Sequence, residues 1–148
     1  MQFRRIEIKK IGDLLVEKGI ISYGQLQEAL KLQKKESGLL GTILVRLGHA
    51  SEVEIAQVIT VQYGLPYLPL SSYELDGEII KLIPRDIAKK FCLIAVDRMG
   101  DTLTIAMANP LDPSAIEEIE KLTGLKIQVF ISTMTDIVNA IEKYYGKA

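Results

Sequence analysis

The sequence predicts an α+β fold, with tandem helical hairpins at its N-terminal end followed by a small α/β subdomain built on a short three-stranded sheet. Three observations predict it. The stretch from Lys10 to Gln33 recurs, offset by 29 residues, from Leu39 to Gln62. Prolines and turn formers between residues 65 and 77 then interrupt the helical pattern. After that point the apolar residues alternate along two stretches and follow helical spacing along others.

The two repeats share Gly12/Gly41, Leu15/Leu44, Val16/Val45, Gly19/Gly48, Ser22/Ser51 and Gln33/Gln62. In the first repeat Ile11, Leu14, Leu15 and Lys18 fall at helical spacing, and Gly19 stops the helix as glycine does just past a C-cap. Ser22 with Gln25 three residues later is a capping box that opens a second helix. Leu26, Ala29, Leu30 and Gln33 lie on one face of it. Gly48, Ser51, Glu54, Ile55, Val58, Ile59 and Gln62 repeat the scheme. Residues 1–64 are therefore expected to form a tandem-hairpin subdomain, 65–77 a linker, and 78–148 an α+β subdomain.

In the second half, "IIKLIPRDIAKKF" predicts two short helical pieces interrupted at Pro84. "CLIAVDRMGDTLTIAMANP" predicts a β-hairpin: an apolar run from Cys92 to Val96, a turn around Met99, Gly100 and Asp101, and the alternation Leu103, Ile105, Met107, ended by Asn109 and Pro110. A helix follows, with Pro113 in its first turn and Gly124 as its stop. "LKIQVFIS" is a third strand and "TMTDIVNAIEKYYG" a closing helix.

With 148 residues, 48% of them hydrophobic, the chain can bury a substantial core. A net charge of -1 argues against a broad electrostatic grip on nucleic acid. The single cysteine, Cys92, fits a reducing compartment. No stretch approaches the roughly 20 apolar residues of a membrane span, and the start has no apolar run of signal-peptide type. The chain is expected to be cytoplasmic.

Catalytic constellations are not legible. A single histidine and a single cysteine exclude a histidine pair, a zinc cluster built on cysteines and, given their contexts, a thiol–imidazole couple. Gly19 and Gly24 have phosphate-loop spacing, but Gln25 and Leu26 stand where such a loop needs Lys and Ser or Thr. Glu117, Glu118 and Glu120 read as a solvated helix face. The expectation is a chain that is not itself an enzyme, without cofactor or metal.

Binding is better supported. Lys9 and Lys10 precede the first helix, where positive charge is unfavourable unless an anion is near. A phosphate would supply that charge, and Gly12 would let it approach the backbone. Alternatively, Asp13 offsets the lysines and Gly12 relieves a tight helix crossing. Gln33 and Gln62, on an apolar face, need hydrogen-bond partners: each either caps neighbouring backbone or reads the edge of a bound base. Leu14, Leu15, Leu26, Leu30, Ile43, Leu44, Ile55 and Ile59 serve a core or carry a flat ligand.

These residues, in this spacing, resemble the N-terminal domain of type II secretion and type IV pilus assembly ATPases, in particular the MshEN variety, which binds cyclic di-GMP. The family pattern is two tandem motifs joined by a short spacer, here Lys34 to Gly38. Each motif has an Arg-Leu-Gly-like start, two aliphatics, a glycine, a helical pair of leucines and a closing glutamine. "LIPRDIAKKF", "LTIAMANPLDP" and "IEKYYG" in the second half resemble the family as well. The resemblance implies ligand contacts from Lys10, Ile11, Gly12, Leu15, Leu26, Leu30 and Gln33 in the first motif. From the second motif it implies Leu40, Gly41, Leu44, Ile55, Ile59 and Gln62. It implies an ATPase domain beyond Ala148 in a longer protein and, as partners, inner-membrane platform proteins of the machinery. Two departures stand out: Lys10 replaces the arginine that opens the first motif, keeping the charge but losing the planar fork, and His49 with Ala50 replaces an aliphatic pair. Arg4 and Arg5 lie nearby in sequence.

Overall fold

The computed structural model describes residues 10–108 and 113–146. Lys9, Arg4, Arg5, Asn109 and Pro110, all singled out above, lie outside the described residues. The chain divides after Gly64 into two units.

The first unit holds four helices: α1 (Ile11–Glu17), α2 (Tyr23–Glu36), α3 (Leu40–Arg46) and α4 (Glu52–Tyr63). Both capping boxes form. Ser22 Oγ accepts from Gln25 N–H at 3.1 Å while Gln25 Oε1 accepts from Ser22 N–H at 2.8 Å. Ser51 and Glu54 repeat this at 3.1 and 2.9 Å. α1 and α3 also end alike. Gly19 and Gly48 take φ of +75° and +79°, and Ile20 and His49 donate their N–H to the carbonyls of Leu15 and Leu44, both at 3.0 Å. This bond, together with that from each glycine to the carbonyl three residues back, is the Schellman arrangement. α1 packs on α2 and α4, and α3 packs on the same two helices. The repeats thus interleave. Leu15, Leu26, Ala29, Ile43, Leu44, Ile55 and Val58 form their common core.

The second unit carries α5 (Gly77–Ile80), α6 (Arg85–Phe91), β1 (Leu93–Met99), β2 (Thr102–Met107), α7 (Pro113–Thr123), β3 (Lys126–Ile131) and α8 (Met134–Tyr145). The sheet order is β1-β2-β3. β1 and β2 are an antiparallel hairpin running from Leu93 opposite Met107 to Met99 opposite Thr102, with a register shift between Ala95 and Asp97. β3 lies parallel to β2, Thr102 opposite Lys126 and Met107 opposite Ile131, with α7 as the crossover. Ile80, Ile83, Leu93, Leu103, Ile105, Ile119 and Ile137 are fully buried in its core.

The expected linker at 65–77 requires correction. Its apolar residues are not spacers but part of the second unit. Tyr67 bridges to Ile131 in parallel fashion. Ile131 donates its N–H to the Pro66 carbonyl and accepts at its own carbonyl from Leu68 N–H, both at 2.8 Å. Leu68 and Leu70 are buried in the core, and residues Leu70–Ser72 make one 3₁₀ turn. Prolines at 66 and 69 suit an edge that needs few donors, so the composition that suggests a linker also suits an edge segment.

The end of α8 holds this segment down. Leu75 N–H donates to Tyr144 Oη at 2.8 Å. The Tyr145 hydroxyl lies 2.6 Å from the Ile83 carbonyl, just before Pro84 breaks the helix, and 2.8 Å from the Ile80 carbonyl, which also accepts from Ile83 N–H. Burial pushes the Tyr145 phenol up to about 12. A phenol that ionises less readily folded than unfolded stabilises the fold fully below pH 10, its ordinary value, and that stabilisation is lost as pH rises toward 12. Tyr145→Phe should lower the unfolding free energy by about 1 kcal/mol at neutral pH. Urea titrations across alkaline pH should show the wild type losing stability more steeply than the variant over that window.

Candidate functional site

The thirteen residues expected to contact a ligand all fall in the first unit, and the structure sorts them by depth. Leu15 and Leu44 are 0% exposed, and Leu26 and Ile55 nearly so. These four meet in the interleaved core. Ile11, Leu30, Leu40 and Ile59 are half-buried and pack against the same core from its rim. Lys10 is exposed at the N-cap of α1, its carbonyl accepting from Leu14 N–H at 3.2 Å and its side chain making no cap bond. Asp13 lies in the first turn of the same helix, where its charge offsets that of the lysine.

Gly12 and Gly41 hold equivalent places and do equivalent work. A Cβ on Gly12 would stand 2.6 Å from Leu26 Cδ1 and 3.3 Å from Leu40 Cδ2. One on Gly41 would stand 2.8 Å from Ile55 Cγ2. Leu26 and Ile55 occupy the same position in their repeats. Each glycine therefore lets its short helix close on the long helix of its own hairpin, and the space beside each is filled by a side chain. Of the two readings offered for Gly12, this geometry is the tight crossing.

Gln33, in the last turn of α2, donates from Nε2 to the Gly38 carbonyl at 3.0 Å. Its own carbonyl accepts from Ser37 N–H at 2.9 Å. It clasps a spacer in which Ser37 takes φ of +58°, a conformation few non-glycine residues adopt. Gln62 is half-buried on α4 and has a partner of its own. So the two glutamines do not wait unpaired on an apolar face.

Side chains not anticipated as a set tie one repeat to the other. Arg46, closing α3, forms an ion pair with Glu36 at the end of α2. His49, in the turn between α3 and α4, lies with Nδ1 3.3 Å from Gln25 Nε2 and Nε2 3.2 Å from Glu28 Oε2, both on α2. The replacement of an aliphatic pair at this turn was visible in the sequence. Its destination on α2, 21 and 24 residues back, was not. Among the described residues no cluster of three His, Cys, Asp or Glu is placed to hold a metal, and no helix is long and apolar enough to cross a membrane.

Four similarities to known proteins accompany this geometry. The MshEN domain family matches residues 63–148, the second unit with the end of α4. The type IV pilus assembly ATPase PilB of Myxococcus xanthus is 34% identical over 93% of this chain, which spans 24% of that protein's length. PilB of Thermus thermophilus is 33% identical, again over 93% of the chain and 16% of the relative. A solved structure of MshE with cdg superposes with a TM-score of 0.81 at 35% identity, covering 93% of this chain and 99% of that one.

Replacing Gly41 by alanine should destabilise the chain more than replacing Gly12. The obstructing Cγ2 of Ile55 is fixed by its β-branch, whereas Cδ1 of Leu26 is the far end of a more adaptable side chain. Against the helix-propensity gain of about 1 kcal/mol stands an overpacking cost of about 1–3 kcal/mol. A net loss of about 1 kcal/mol is expected for Gly41→Ala and near neutrality for Gly12→Ala, read from urea unfolding.

Proposed function

The chain belongs to the MshEN domain family, and from that premise we propose that it is a regulatory domain of a type IV pilus assembly or type II secretion ATPase that binds cyclic di-GMP along its tandem hairpins. The observation that carries the reading is the likeness to MshE with cdg, taken here as cyclic di-GMP, at 35% identity over 93% of this chain. That superposition spans most of the chain, the tandem hairpins included, whereas the family match lies mainly in the second unit.

Within this reading the residues divide the work by depth. Leu15, Leu26, Leu44 and Ile55 set the shape of the surface from beneath. Ile11, Leu30, Leu40 and Ile59 retain exposed surface and supply dispersion to a flat base. Lys10, exposed at the start of α1, supplies positive charge for a phosphate. It does so as a point charge, without the bidentate geometry of arginine. Gln33 offers its amide once it leaves the Gly38 carbonyl, and Gln62 lies at the matching end of α4. The ATPase engine would lie elsewhere in a longer protein, as the 24% and 16% shares of the pilus ATPases indicate.

A second reading is a docking module that links the ATPase to inner-membrane platform proteins without nucleotide. What favours it is the packing itself: both glycines are covered, Gln33 is bonded to backbone, and Val53 and Val61 stand exposed on α4.

Calorimetric titration with cyclic di-GMP, with GTP and cyclic di-AMP as controls, separates the two. Saturable binding of cyclic di-GMP alone is expected. Lys10→Ala should weaken it at least about tenfold, the loss of one charge-assisted contact of about 1.5–3 kcal/mol. Absence of heat at high micromolar ligand overturns the reading in favour of docking.

A further inference from the structure

The bridge between the repeats constrains protons as well as positions. Gln25 Oε1 is committed to Ser22 N–H at 2.8 Å by the capping box. The other end of that amide, Nε2, faces His49 Nδ1 at 3.3 Å. An amide nitrogen only donates, so Nδ1 must present a lone pair. On the far side of the ring, Nε2 lies 3.2 Å from Glu28 Oε2, and a carboxylate only accepts, so Nε2 must carry the hydrogen. The neutral ring with hydrogen on Nε2 satisfies both neighbours. A hydrogen on Nδ1 would meet the amide hydrogens, and the amide cannot turn over without setting them against Ser22 N–H.

The second repeat shows that the capping box alone does not demand glutamine. Glu54 fills the same place, accepting from Ser51 N–H at 2.9 Å. A glutamate at position 25 would cap equally well but would turn an acceptor toward Nδ1.

We infer that His49 is a positioning residue that fixes the α3–α4 turn of the second repeat on α2 of the first as the Nε2–H tautomer, and that Gln25 is the residue that selects this tautomer. α2 carries Leu26, Leu30 and Gln33, and the turn leads into Ile55 and Ile59. The bridge therefore sets the spacing of the two halves of the candidate surface. The inference does not depend on what that surface binds.

His49 is the only histidine in the 148 residues, so its two ring nitrogens are unambiguous in long-range ¹H–¹⁵N correlation spectra of the labelled chain. The wild type should show a protonated Nε2 and a lone-pair Nδ1. Gln25→Glu turns an acceptor toward Nδ1 and should draw a hydrogen onto that nitrogen under the same conditions. A wild-type ring carrying its hydrogen on Nδ1, or a Gln25→Glu ring whose Nδ1 keeps its lone pair, overturns the inference. If Gln25→Glu does not fold, Glu28→Gln takes its place. It keeps an acceptor for Nε2–H and leaves Gln25 in place, so the ring should retain its tautomer. A hydrogen on Nδ1 there also overturns the inference.

Discussion

The first unit is organised around two close helix crossings, one at Gly12 and one at Gly41. With hydrogen alone on the α-carbons of Gly12 and Gly41, each short helix lies close enough for its long partner to bring Leu26 or Ile55 to where a Cβ would stand. That approach buries Leu15 and Leu44 completely, and their burial joins the two hairpins into one core. Seven-residue helices such as α1 and α3 are too short to persist on propensity. They are held by this contact, by the Schellman bonds behind Gly19 and Gly48, and by the helix caps that follow. Repetition is then an economical solution. A hairpin with one exposed apolar face cannot bury it alone, and a second copy offers a face of the same pattern.

Much of this was legible in the sequence because it is local. A serine followed three residues later by Gln or Glu names a helix start, and a glycine after an amphipathic turn names a stop. The β-hairpin around Gly100 and the strand after Gly124 follow from alternation and turn residues in the same way. The segment after Gly64 was not legible, because proline and serine describe equally a free connector and an edge segment. The difference lies in a partner, Ile131, more than sixty residues away. Depth was hidden too. Leu15 and Leu30 have the same chemistry and the same motif membership, yet one is fully buried and the other rims the core. Only the packing of four helices decides which.

The second unit solves a different problem. A three-stranded sheet with a single parallel crossover leaves β3 at an edge, open to pairing with another chain. The segment around Tyr67 covers part of that edge at Ile131, and Tyr144 and Tyr145 fasten the chain that follows. Burial, and the nearby Asp136 carboxylate, push the Tyr67 phenol up from its ordinary value. The connection between units is thereby short: α4 ends at Tyr63 with Gly64 as its left-handed cap, and by Pro66 the backbone is already bonded to β3.

The two readings of the glycines are not alternatives in the way the sequence presents them. On the proposed function, a ligand does not need the α-carbons of Gly12 and Gly41 as bare surface, because the structure uses their smallness to draw the helices together. What that closeness does is bring the half-buried Ile11, Leu30, Leu40 and Ile59 around one shared core, which a longer helix separation would spread apart. The same residue type at the same spacing therefore serves packing directly and, on the proposed function, would serve ligand recognition only through packing. The burden of discrimination falls on the polar groups at the edges. Gln33 is held by backbone, and a ligand that uses its amide must supply an acceptor at least as good as the Gly38 carbonyl. Lys10 has no cap bond to give up. On the proposed function, charge at Lys10 would thus be the cheaper contact to make, and the amide of Gln33 would be the one that distinguishes a base edge from any other anion-bearing ligand.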